Sequence, residues 1–89
     1  MAYKIVLTKS AVKELENLPP KTHDKIVEHL RQIEENPRVF GAEKLTGREA
    51  YKLRVGNYRI IYEISDSVQK VEVFMIEDRR QVYKRLKRK

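Results

Sequence analysis

The chain has 89 residues, with 20 Lys+Arg against 13 Asp+Glu and a net charge of +7. That length gives one small domain with room for one core and one site, and 40% hydrophobic residues is enough to fold one. The absence of cysteine removes disulfides, thiolate metal sites and cysteine nucleophiles, and two histidines argue against a histidine-built metal centre. In chain order, Tyr3–Leu7 is an apolar run rich in β-formers, which predicts a strand. Thr8 or Ser10 caps the helix that follows, where Ala11, Leu15 and Leu18 recur at helical spacing. Pro19-Pro20 ends that helix and suits the first turn of the next. There Ile26, Val27, Leu30 and Ile33 share one face, until Asn36-Pro37 stops it. The pair is expected as an antiparallel helical hairpin. Positions 37–47 read as a loop. Alternation of period two then runs through 51–55 and, in part, 58–64, with Gly56-Asn57 as a two-residue turn of the Gly-first kind. Asp66-Ser67 marks another turn. Lys70–Ile76 is expected as a third strand of this half, with Val71, Val73 and Met75 on one face, and the tail from Arg80 as a helix. The order β-α-α-β-β-β-α over residues 1–89 predicts a single α+β domain: a small antiparallel β-sheet with an N-terminal helical hairpin packed on one face.

The charge is unevenly placed. Residues 1–43 balance seven bases with seven acids, and 44–89 hold all of the excess. The last eleven residues, Arg79 to Lys89, contain seven bases and no acid. Such a field faces a polyanion or serves only as a solubilising tail. No apolar run reaches the ~18 residues of a membrane span, and no signal peptide is visible, so a cytoplasmic protein is expected. His23 and His29 sit six apart on the predicted hairpin and are read as helix residues outside the site.

Hairpin register sharpens the charge pattern. With Gly56-Asn57 as the loop, Val55 opposes Tyr58, Leu53 opposes Ile60 and Tyr51 opposes Tyr62, an apolar set for the core. On the other face Arg54 opposes Arg59 and Lys52 opposes Ile61. Like charges directly opposite in a sheet destabilise it by up to roughly 1 kcal/mol. Three bases on one patch therefore mark either a site or side chains splaying into water. Arg79 and Tyr83 follow the next strand toward the same face, and bases beside an accessible aromatic suit RNA. The alternative for Tyr83 is a ring that anchors the tail.

The segments Lys44-Leu45-Thr46-Gly47, Tyr51-Lys52-Leu53-Arg54, Gly56-Asn57-Tyr58-Arg59-Ile60-Ile61-Tyr62 and Arg79-Arg80-Gln81-Val82-Tyr83 resemble the RelE branch of the RelE/ParE superfamily of toxin–antitoxin toxins. The likeness spans nearly the whole chain. Gly-x-Tyr-Arg-x-x-Tyr is shared with the ParE branch, and Arg-Arg-x-Val-Tyr points to RelE. The resemblance implies an mRNA interferase that acts in the ribosomal A site, without metal or other cofactor. The message's own 2′-hydroxyl attacks the adjacent phosphate to leave a 2′,3′-cyclic phosphate and a 5′-hydroxyl. It also implies a cognate RelB-class antitoxin, with mRNA and ribosome as partners.

On the same basis Arg59 is a phosphate and transition-state clamp. Arg79, or Arg80 after a small length shift, protonates the leaving 5′-oxygen. Tyr83 stacks on or orients the base, and Lys52 belongs to the basic cluster. Arg54 stands where RelE has a lysine proposed as general base, and arginine is a poor base. Either Lys52 takes that role or the site works by electrostatics. Thr46 stands in place of a family arginine that Arg48 can replace. Glu77-Asp78 replace a Gly-Lys or Gly-His pair. Lys44, Arg48, Arg80, Lys84, Arg85, Lys87 and Arg88 are expected to bind RNA or ribosome. The end of the tail reads either as a grip on ribosomal RNA or as a solvated helix end. A ParE-like gyrase poison and a catalytically weak module that binds antitoxin or RNA are the alternative functions.

Overall fold

The computed structural model describes residues 2–45, 47 and 49–78. Of the two candidate caps, Thr8 takes the role: its backbone is extended and its hydroxyl accepts from the Ala11 N–H at 3.2 Å. That satisfies a donor which the first turn leaves orphaned. Helix α1, Lys9–Glu16, ends short of Pro19. Helix α2, Pro20–Glu35, opens on Pro20, whose missing N–H is harmless in a first turn. Ala11, Ile26, Leu30 and Ile33 are buried, and Leu15 and Leu18 pack at the margin. No helix among the described residues is long and apolar enough to cross a membrane.

The strands are β1 (Lys4–Leu7), β2 (Glu43–Lys44), β3 (Ala50–Val55), β4 (Tyr58–Ser65) and β5 (Lys70–Asp78), and a short 3-10 turn, Asp66–Val68, joins the last two. They form one sheet in the order β1-β5-β4-β3-β2. The β3–β4 register is the predicted one, with Val55 opposite Tyr58, Leu53 opposite Ile60 and Tyr51 opposite Tyr62. Gly56, at φ +60°, takes the left-handed position that a Gly-first turn requires. Tyr51, Leu53, Val55, Ile60, Tyr62, Ile64, Val71, Val73 and Ile76 form the sheet's buried side and share one core with the buried residues of the helices.

Three expectations are corrected. The sheet is mixed, not antiparallel, because β1 pairs parallel with β5. A parallel pair needs a long crossover, and between β1 and β5 the chain runs through both helices and the β2–β4 meander. The 37–47 loop contains a strand: Glu43 pairs with Lys52 and Lys44 with Tyr51. Met75 does not share a face with Val71 and Val73. A bulge lets Ile61 face Met75 while Tyr62 faces Val73, which leaves Phe74 as the extra residue. The phase reverses there, so Ile76 is buried and Met75 is 44% exposed. Thr8 braces the bulge, its hydroxyl donating to the Phe74 carbonyl at 3.0 Å and its N–H to the Val73 carbonyl at 3.0 Å. The tail helix expected from Arg80 lies outside the described residues.

Candidate active site

Alternation along β3 and β4 turns Lys52, Arg54 and Arg59 away from the helices. With Gly41 and Glu43 they line a cleft of about 300 Å³. Gly41 has φ +94°, so a side chain there would strain the backbone at the cleft wall. Arg54 stands directly opposite Arg59, as expected from the register. The pairing that limits this repulsion comes from the neighbouring strands. Glu43, across from Lys52, places Oε2 3.6 Å from its Nζ. Glu77, across from Arg59, places Oε2 3.4 Å from Nη2.

Sequence reasoning missed both acids as site residues. A two-residue strand has no periodicity to detect, and Glu77 meets Arg59 only through the β4–β5 register, eighteen residues away in the chain. The signal for Glu77 was a register count across the β4–β5 turn, which the bulge at Phe74 obscures.

Arg59 is under-partnered. Its Nε is buried and has no hydrogen-bond partner among the described residues. Leaving a buried donor of a charged group unmade costs about 1–3 kcal/mol or more. A bound anion would remove that penalty, since a guanidinium presents a fork of donors suited to phosphate oxygens.

Of the other predicted site residues, Lys44 is not brought to the cleft: its Nζ lies 3.3 Å from Glu49 Oε1. Arg48, Arg79, Arg80, Tyr83, Lys84, Arg85, Lys87 and Arg88 lie outside the described residues, as does Thr46. The last described residue of β5, Asp78, pairs with Tyr58 beside the Gly56-Asn57 turn. His23 and His29 are on α2, where His23 Nδ1 is 3.4 Å from Asp24 Oδ1 and His29 Nδ1 is 2.8 Å from the Lys25 carbonyl oxygen.

Residues 5–83 match the family model for the ParE toxin of the type II toxin–antitoxin system parDE. This chain belongs to the RelE/ParE superfamily of type II toxins. It is 34% identical over 90 residues to the mRNA interferase toxin RelE of Escherichia coli K12, an alignment covering 93% of this chain and 92% of that protein. The mRNA interferase RelE of Shigella flexneri gives the same figures. Among solved structures, a chain of the intact E. coli RelBE toxin–antitoxin complex superposes with a TM-score of 0.77 at 25% identity, covering 86% of this chain and 96% of that one. The archaeal RelE–RelB complex from Pyrococcus horikoshii also gives 0.77 at 25% identity, covering 89% and 97%.

At the other end of the sheet this RelE/ParE toxin has a second arginine cluster. Arg38 donates from Nη1 and Nη2 to the Asp66 carboxylate at 3.2 and 2.9 Å, from Nη2 to Glu49 at 3.3 Å, and from Nε to the Tyr51 hydroxyl at 3.2 Å. Tyr3 adds a hydroxyl bond to Asp66 at 2.7 Å. Hydrogen bonds from Arg38 and Tyr3 hold the Asp66 carboxyl below the usual range. Glu49 is lowered chiefly by Lys44 and then by Arg38. The cluster closes the loop after α2 onto the sheet, together with a 2.6 Å bond from the buried Tyr62 hydroxyl to the Pro37 carbonyl. Burial pushes the Tyr62 hydroxyl up to about 12.

Proposed function

We propose that this toxin is a ribosome-dependent endoribonuclease that cuts mRNA in the ribosomal A site by metal-independent attack of the 2′-hydroxyl. The observation that carries the reading is the cleft in which Arg54 and Arg59 face each other while the buried Arg59 Nε lacks an acceptor among the described residues. The mRNA-interferase names of the relatives at 34% identity support it.

In the proposed step Arg54 and Arg59 hold the scissile phosphate. The substrate's 2′-oxygen bonds to phosphorus, the bond from phosphorus to the 5′-oxygen breaks, and the products are a 2′,3′-cyclic phosphate and a 5′-hydroxyl. Fixed positive charge stabilises the pentacoordinate phosphorane as its negative charge grows. Arginine does not accept a proton at neutral pH. A carboxylate can serve as the base, and that of Glu43 lines the cleft beside Lys52. Glu43 takes the 2′-hydroxyl proton and Lys52 orients it. Arg79 delivers a proton to the leaving 5′-oxygen and Tyr83 stacks on the base, as the family resemblance implies. The basic tail adds counter-ion release against RNA phosphates. The partner that silences the toxin is an antitoxin of the RelB class, in keeping with the RelE–RelB complexes among the superposing structures. Its capture surface is expected to be acidic toward the cleft, and the site of action is the cytoplasm.

Primer extension on ribosome-bound mRNA after induction tests the reading. Cleavage by the intact protein that resists a chelator and disappears in Arg59→Ala is expected. Intact message in induced cells would overturn it. The match to a ParE model keeps gyrase poisoning as the second reading, which would show as DNA damage with mRNA unaffected.

A further inference from the structure

Phe40 is 93% exposed, far beyond Val68, Met75 and Val12, the other exposed large apolar residues among those described. Its chain neighbour Gly41 forms a wall of the basic cleft. The loop that bears it is pinned on both sides. On one side the Pro37 carbonyl accepts from the buried Tyr62 hydroxyl, and Arg38 is tied into its four-bond cluster. On the other side the Ala42 N–H donates to the Val39 carbonyl at 3.1 Å, and the chain enters β2. A solvent-facing phenylalanine contributes nothing to the core, yet its backbone is held in place beside a cleft lined by Lys52, Arg54 and Arg59.

We propose that Phe40 is a stacking platform for a nucleobase of the RNA held in the cleft, next to the nucleotides at the scissile phosphate. The proposal rests on the ribonuclease reading above. Pairing a cationic groove with an aromatic surface is the general means of holding single-stranded nucleic acid. The cations follow the backbone and the ring receives a base with little preference for sequence. The loop is already fixed, so the ring is presented with little ordering left to do on binding. The aromatic face is what matters, so an aliphatic side chain of similar volume is not a substitute.

The test uses the full-length toxin and purified ribosomes programmed with a defined mRNA, comparing the intact protein with F40W, F40L, F40A and R59A. F40W is expected to keep kcat/KM near that of the intact protein. F40L and F40A should both lose about tenfold, mostly in KM, the scale of one lost base stack. Thermal midpoints should not move, because the ring is outside the core. Tryptophan fluorescence of F40W should be quenched on adding a short single-stranded RNA. Arg59-dependent cleavage with F40A as active as the intact protein overturns this proposal alone. So does F40L matching F40W, which would mean apolar contact without stacking. Normal cleavage by F40A with weakened antitoxin capture overturns it in favour of a protein anchor. Failure of the intact protein to cleave overturns the nuclease reading, and this one with it.

Discussion

Two arginines define opposite ends of the same sheet. Arg38 directs four hydrogen bonds at two carboxylates and a phenol and stands over the Tyr51 ring, 5.8 Å from its centroid. Among the described residues Arg59 has one long bond to Glu77, a like charge across the strand and a buried Nε without an acceptor. Both are guanidinium groups on a small α+β domain. The first is saturated by the protein and closes the fold. Among the described residues the second keeps a buried donor unmatched. Saturation distinguishes the two more clearly than exposure does, since the Arg59 side chain is the less exposed, 27% against 42%.

The contrast can be broken by substitution. Arg59→Ala should lower mRNA cleavage about 10²-fold or more, the scale for losing one donor to a transition-state charge. Stability should change little, since a repulsive cross-strand pair goes with it. Comparable activity after this substitution would end the idea that the end with Arg59 is the reactive one. Glu43→Gln should lower kcat about 10²-fold with KM held, the lower range for a lost general base. A purely electrostatic site would instead gain activity when that acid is neutralised, so the sign of the change decides. Arg38→Ala should shift the other observable. A loss of about 1–2 kcal/mol is expected in urea unfolding, with cleavage by the folded fraction retained.

Two smaller effects sharpen the picture. Glu77→Gln releases Arg59 from its intramolecular partner and should tighten RNA binding up to about fivefold, the scale of one partly screened ion pair. Weaker binding would mean that Glu77 positions the arginine rather than competing for it. The smallest effect is in pH. Asp66 and Glu49 titrate below their ordinary values in the folded state. Their contribution is therefore present above the usual carboxylate pKa of about 4 and is lost as pH falls through the lowered folded values. Asp66→Asn should flatten that acid limb in thermal melts.

Much of this was legible in the chain. Gly56-Asn57 sets the β3–β4 register with two residues, and that register alone puts Lys52, Arg54 and Arg59 on one face. Thr8 and the paired prolines mark the helix ends through local chemistry. What was hidden is non-local. The parallel pairing of β1 with β5 joins the two ends of the described chain and has no local signature. The strand Glu43–Lys44 is shorter than any period. Val71, Val73, Phe74, Met75 and Ile76 are all apolar, so the inversion of phase within them has no compositional mark. Glu43 in the cleft and Glu77 beside Arg59 come from the short strand and from beyond the inversion, which is why the basic patch looks starker in sequence than it is in three dimensions.

The bulge at Phe74 acts like a frameshift written into a strand. Upstream of it Val71 and Val73 face the core; downstream the inward residue is Ile76, and Glu77 faces Arg59. A plain alternation carried on from Val73 would turn Met75 and Glu77 toward the apolar interior and Ile76 toward the cleft face; the extra residue at Phe74 prevents that, and deleting it would close the bulge with Ile76 and Glu77 on the faces they now hold. One inserted residue thus lets an apolar run keep Ile76 in the core while Glu77 supplies a counter-ion to Arg59 on the other face.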